Sequence, residues 1–267
     1  MFKTNPDSMR MEPTPERVLA VCRLIAHNRM TRENVRKAMS LGNNDEKELD
    51  QINKSISVAA DELDIIKAKD DQLVLTVDSS ILTSAVSFRR YVASKVFLQK
   101  DSTFYLFTKW VITQNERIFK LKSWEGMAKR CGSEIGELSA LNENAVLGWR
   151  FWASFLGIGY LSGTMIIPNM MIRLKDVLAE DFTKRFAYGE PILSYEFIVW
   201  LSAKLPEVDM SQQRLPLALS AGLKTLHELG MIELKTWRDS DRVALYHVDG
   251  DPINDFSHIT VKEAVTK

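Results

Sequence analysis

The sequence predicts a mainly α-helical chain with small β-hairpins, an α+β class, built as three tandem helix-helix-helix-hairpin units joined by connecting helices. Three observations predict it. A helical stretch that stops abruptly and runs straight into a two-stranded hairpin occurs three times. The copies align: Leu156-Gly157-Ile158 lies over Leu229-Gly230-Met231 at a shift of 73, and Leu63-Asp64-Ile65 lies under the same triplet at a shift of 93. The composition is that of an ordered globular chain, with 45% hydrophobic and 26% charged residues, 12 Gly and 8 Pro in 267 residues. It excludes disordered, collagen-like and low-complexity proteins, and the length suits two or three small domains.

The first unit is residues 1–78. Residues 1–15 are polar and lack the apolar core of a secretory signal, and Pro13 and Pro15 suit a helix start. Residues 16–28 carry Val18, Leu19, Val21, Cys22, Leu24 and Ile25, the apolar stripe of a helix. Residues 31–41 open with Thr31-Arg32-Glu33-Asn34, a helix start whose capping box lacks its Glu or Gln. A third helix over 51–63 runs into a hairpin of 64–67 and 73–77, turning at Asp70-Asp71.

The second unit, 79–178, begins with a connecting helix over 79–99. Helices over 103–115, 123–130 and 142–156 follow, the last with Asn142 as N-cap and Glu143 in its first turn. Gly157 stops it. Strands 158–161 and 164–167 flank Ser162-Gly163, and Pro168 closes the hairpin. Residues 151–172 carry no charge, and the run is long enough to cross a bilayer. Gly157, Gly159, Gly163, Pro168 and Asn169 would break such a helix, so the expectation is a buried helix end and hairpin, with no membrane contact.

The third unit is 179–267, entered through a connecting helix over 172–188. A helix over 193–205 ends at Pro206, and 207–214 is too short and polar for a clear middle helix. Leu217, Leu219, Leu223, Leu226 and Leu229 form a broad apolar face, and Gly230 is the stop. Met231-Ile232-Glu233-Leu234 is expected to pair with 243–248 across Arg238-Asp239-Ser240-Asp241.

Helix, helix, helix, hairpin is the order of a winged helix, a helix-turn-helix core with a β-hairpin wing. The stretch Ser220-Ala-Gly-Leu-Lys-Thr-Leu-His-Glu-Leu-Gly-Met-Ile-Glu-Leu resembles the third helix and wing of bacterial winged-helix regulators. The whole chain loosely resembles DpdG-type accessory proteins of bacterial clusters that modify DNA with 7-deazapurines and resist phage, a resemblance that no single motif carries. It implies a cytoplasmic component of an antiviral system. The plainer alternative is a helical domain with incidental hairpins.

Catalytic signatures are absent. There is no Walker-type phosphate loop. Gly157-Ile-Gly159 follows a helix instead of a strand and has its third Gly displaced to Gly163. His227-Glu228 lacks the second His of a zinc protease, and four His and two Cys are scattered. No enzyme activity, metal or cofactor is expected. Two Cys make no disulfide framework, which places the chain by default in a reducing, cytoplasmic compartment.

Charge gives the remaining signal. The 35 basic and 35 acidic residues cancel, which argues against indiscriminate coating of nucleic acid. Split by unit, however, the net charge is −2, +6 and −4. The central candidates for contacting phosphates are Arg89, Arg90, Lys95, Lys120, Lys122, Lys129 and Arg130, interleaved with Trp110, Phe119 and Trp124. In the third unit they are Arg214 and Lys224, with Lys235, Arg238 and Arg242 on the wing. Each alone reads better as a solvated face of an amphipathic helix whose aromatics belong to the core, and only the cluster as a whole points to an anionic partner. The expectation is a non-catalytic protein binding double-stranded DNA. The competing one is a protein-interaction scaffold or homo-oligomer, with six Trp available to anchor an interface.

Overall fold

The architecture comes from a computed structural model, which describes residues 1–4, 9–41, 45–121, 123–163, 165–247, 250 and 252–266. It is mainly helical with small antiparallel sheets, as expected. Among the described residues, no helix is long and apolar enough to cross a membrane.

The chain forms two compact units that interleave in sequence: 1–107 with 124–156, and 108–123 with 157–267. The division into 1–78, 79–178 and 179–267 follows the repeat along the chain and is of a different kind. Helix α5 (Thr103–Thr113) carries the chain from the first unit into the second.

In the first unit, α1 (Pro15–His27), α2 (Arg32–Met39) and α3 (Glu46–Ser57) precede a hairpin of β1 (Ile66–Lys69) and β2 (Gln72–Leu75). Local chemistry sets the helix starts. Thr14 caps α1 with Pro15 in its first turn, Thr31 accepts from the Asn34 amide at 3.2 Å, and Asp45 accepts from Lys47 at 3.0 Å. A π-helical turn, Val58–Glu62, extends α3, and Asp64 at φ +53° makes the sharp exit. The Leu73 amide donates to the Met30 carbonyl at 2.8 Å, so the α1–α2 connection bridges to the hairpin. Val18, Val21, Cys22, Val35, Ile56, Leu63 and Ile65 form the core beneath it.

The same unit holds α4 (Ala85–Val96), α6 (Trp124–Glu134) and α7 (Glu143–Phe155). Asn142 caps α7 by accepting from the Ala145 amide at 3.0 Å. α7 is apolar on most sides because it sits in an aromatic core. Phe107 meets Trp149 edge-on at 4.9 Å, Phe2 meets Trp152 at 5.0 Å, and the Trp152 indole donates to the Pro13 carbonyl at 2.6 Å.

The second unit contains a 3-10 helix, Asn115–Lys120, and a hairpin of β3 (Gly159–Ser162) and β4 (Met165–Pro168). Then come α8 (Met171–Asp181), β5 (Pro191–Leu193), α9 (Ser194–Lys204), α10 (Leu217–Glu228), β6 (Ile232–Lys235), β7 (Val243–Ala244), β8 (Asp255–Phe256) and β9 (His258–Val261). The Asn115 side chain accepts from the Leu217 amide at 2.8 Å, at the start of α10. Gly222 lets α10 approach the next segment closely: a Cβ there would lie 2.8 Å from the Met170 carbonyl carbon and the Met171 nitrogen.

Two expectations change. The hairpin of 231–234 with 243–248 does not form. β6 pairs with β9, Ile232 opposite Val261 and Leu234 opposite Ile259, in a three-stranded sheet of order β5-β9-β6. β7 pairs with β8 instead, and Arg214 bridges to Ala244. Burial explains the choice: Ile259 and Val261 are both fully buried, whereas Val243 and Ala244 are half-exposed. The second hairpin also groups with residues 157–267, apart from the helices α6 and α7 that precede it. Each unit is neutral, with 19 basic and 19 acidic residues in the first and 16 of each in the second.

Candidate interaction surface

The cations singled out in sequence are dispersed, and most have local partners. In the first unit, Lys95 lies 3.9 Å from Asp64 and sits over the Tyr91 ring. Lys129 bonds Glu125 at 2.6 Å, which raises its pKa, and Arg130 bonds Glu134 at 2.8 Å. Arg89 and Arg90 are half-buried on α4. In the second unit, Lys224 donates to the Tyr246 carbonyl at 2.8 Å, Lys235 pairs with Glu233 at 3.1 Å, and Arg242 lies 3.7 Å from Asp255. Lys120, Arg214 and Arg238 are exposed without an ion pair among the described residues. Lys122 lies outside the described residues.

Neither of the two helices that precede hairpins, α3 and α7, nor α10, which leads into β6, offers a basic face. On α3, Glu46 and Asp50 are exposed, while Lys54 is held by Glu12 at 2.9 Å and Asp50 at 2.7 Å. On α7, Arg150 stacks over Phe151 at 4.6 Å. α10 buries Leu217, Ala218, Leu219, Ser220, Gly222, Leu223 and Leu226, and the His227 ring accepts from the Leu234 amide at 3.1 Å.

The exposed apolar chemistry lies elsewhere. In the β3–β4 hairpin, Tyr160, Leu161, Met165 and Ile167 are each 36–40% exposed. The register pairs Tyr160 with Ile167 and Ser162 with Met165, so these four share one face. Leu161 and Ile166 lie on the other, where Ile166 is buried. Gly163 takes φ +57° at the turn. β4 packs against the 3-10 helix Asn115–Lys120 and α10, while β3 has no strand on its far side among the described residues. Sequence reasoning found this hairpin but assigned it to burial. The signal that it is exposed was its alternation, since Ile166 and Pro168 are buried while Met165 and Ile167 are not.

A second concave surface in the same unit, about 570 Å³, lies between α9 and residues 208–215. Tyr195 and Val199 are exposed beside it, and Lys109, Gln212, Gln213 and Arg242 supply polar edges. Asp209 is held below the usual carboxylate range, chiefly by the Ser211 hydroxyl at 2.6 Å. Among the described residues, no group of three or more His, Cys, Asp or Glu is placed to hold a metal. No family model, curated protein or solved structure matches this chain.

Proposed function

We propose that this chain is a non-catalytic winged-helix protein that works by docking other proteins, as a scaffold subunit of a multi-protein assembly. A bacterial phage-defence or DNA-modification system is the setting the resemblance suggests. The observation that carries the docking role is the β3–β4 hairpin: it follows α7 in the chain, has no charged residue, and exposes Tyr160, Met165 and Ile167 on one face. A hairpin without cations brings no charge to a phosphate, whereas an exposed aromatic-aliphatic face suits a protein partner. The first unit supports the winged-helix reading, through α1-α2-α3-β1-β2 and the Met30–Leu73 bridge.

Duplex DNA is the second reading, favoured by exposed Lys120, Arg214 and Arg238. A salt titration of binding to a random duplex separates the two. Docking predicts weak binding with a shallow dependence on salt. A steep dependence that falls when Arg214→Ala and Arg238→Ala are combined would put DNA first. Docking further predicts that Tyr160→Ser with Ile167→Ser abolishes co-purification with products of neighbouring genes, while leaving the thermal melt in place.

A further inference from the structure

We infer that the exposed face of the β3–β4 hairpin takes an acidic amphipathic segment of a partner protein, whose apolar side lies on Tyr160, Met165 and Ile167 and whose carboxylates reach Arg117 and Lys120. This deepens the docking reading above and rests on it.

The element beside the hairpin sets the partner's chemistry. The 3-10 helix Asn115–Lys120 packs against β4. Such a helix turns once every three residues, so side chains three apart stand one above the other. Ile118 is buried and faces the body of the unit, while Glu116, Arg117, Phe119 and Lys120 are all exposed. Arg117 and Lys120 therefore form one outward column, and neither has an ion pair among the described residues. Phe119, between them in sequence, adds an exposed aromatic ring at the same border.

The charge around the apolar face is lopsided. The hairpin itself carries none. α10, which also packs against β4, carries Lys224 and Glu228, one of each sign. The 3-10 helix brings two cations against the single carboxylate of Glu116. A wholly apolar partner gains nothing from that border, and a basic one is repelled by it. A segment with Asp or Glu beside its aromatic and aliphatic residues matches both parts of the surface at once. An anionic lipid surface would offer similar chemistry, but the turn of the hairpin is Ser162 and Gly163, with no apolar side chain to enter a bilayer. The exposed apolar side chains lie along the strands instead.

Panning a random peptide display library against the full chain tests this. The expected binders combine aromatic or aliphatic residues with Asp or Glu. Their affinity should fall at least about tenfold for Arg117→Glu combined with Lys120→Glu. A synthetic copy of the best binder, with its acids changed to Lys, should regain affinity for that variant and lose it for the wild type. Tyr160→Ser with Ile167→Ser should abolish binding of either peptide, and both double variants should keep the wild-type circular dichroism. Hairpin-dependent binders that lack acidic residues, or that ignore the charge reversal, overturn the inference and leave the docking reading standing. A library without any binder that needs Tyr160 and Ile167 overturns both. Capture of the chain by phosphatidylserine vesicles, lost on the charge reversal, would overturn the inference in favour of a membrane surface.

Discussion

Arg173 and Glu207 show what single residues contribute here. The Arg173 Nε donates to Glu207 Oε1 at 2.9 Å and its Nη2 to the Lys204 carbonyl at 3.3 Å, with Glu207 fully buried. The pair ties α8 to the segment after α9. Glu207→Leu removes the carboxylate that the Arg173 Nε donates to and leaves the guanidinium in its buried setting, so it should lower stability by about 3 kcal/mol, read by urea unfolding. Arg173→Met combined with Glu207→Leu should recover most of that loss, because neither charge then remains. The two cysteines give a pH test. Burial pushes the thiols of Cys22 and Cys131 up to about 12, so both stay protonated in the fold near neutrality. An unfolded thiol ionises at its ordinary, lower pKa. Above that value the unfolded chain sheds protons that the folded chain keeps, so stability should fall as pH climbs toward 12. At pH 8, iodoacetamide should label neither residue until urea is added, as mass spectrometry would show.

Element boundaries follow from such residues. Gly157 leaves α7 at φ +77°, and a Cβ there would lie 2.6 Å from the Arg173 amide nitrogen. Gly157→Ala should therefore cost about 1–3 kcal/mol in a thermal melt, through strained backbone and the clash together. Many of the helix starts and stops and two of the three expected hairpins were legible in sequence because local chemistry dictates them, whereas α3, expected over 51–63, begins at Glu46 behind an Asp45 cap, and the connecting helices expected over 79–99 and 172–188 are shorter, Ala85–Val96 and Met171–Asp181. Caps at Thr31 and Asn142, the turn at Asp70-Asp71, and Gly157 all act within a few residues of where they sit. The partner of β6 was not legible. Residues 243–248 alternate well enough to pair with it, and only the full burial of Ile259 and Val261 favours β9. That is long-range packing, to which a window of eight residues is blind. β5 escaped notice for the same reason, as three residues preceding a helix. The candidate surface was half legible: the hairpin was, its exposure was not.

At the scale of the whole molecule, charge changes meaning with the partition. The +6 of residues 79–178 depends on cutting the chain by repeat. Cut by compact unit, the surplus disappears, because Lys109, Arg117, Lys120 and Lys122 fall with the acidic residues of 157–267. Many of the remaining cations already face a carboxylate one turn or one strand away. This is why the salt titration is expected to be shallow: a protein that releases few counterions on binding has little to lose when salt is added.

The order of the sheet β5-β9-β6 bears on how the second unit is made. Its central strand is the last of the three to leave the ribosome, after a connection of 22 residues, 236–257. Until then β5 and β6 are two outer strands with a gap between them. The helices of this unit are synthesised long before the sheet that covers them can close, so the nascent chain passes through a stage with that apolar surface open. Completion of the unit is therefore timed by the emergence of four residues, His258 to Val261.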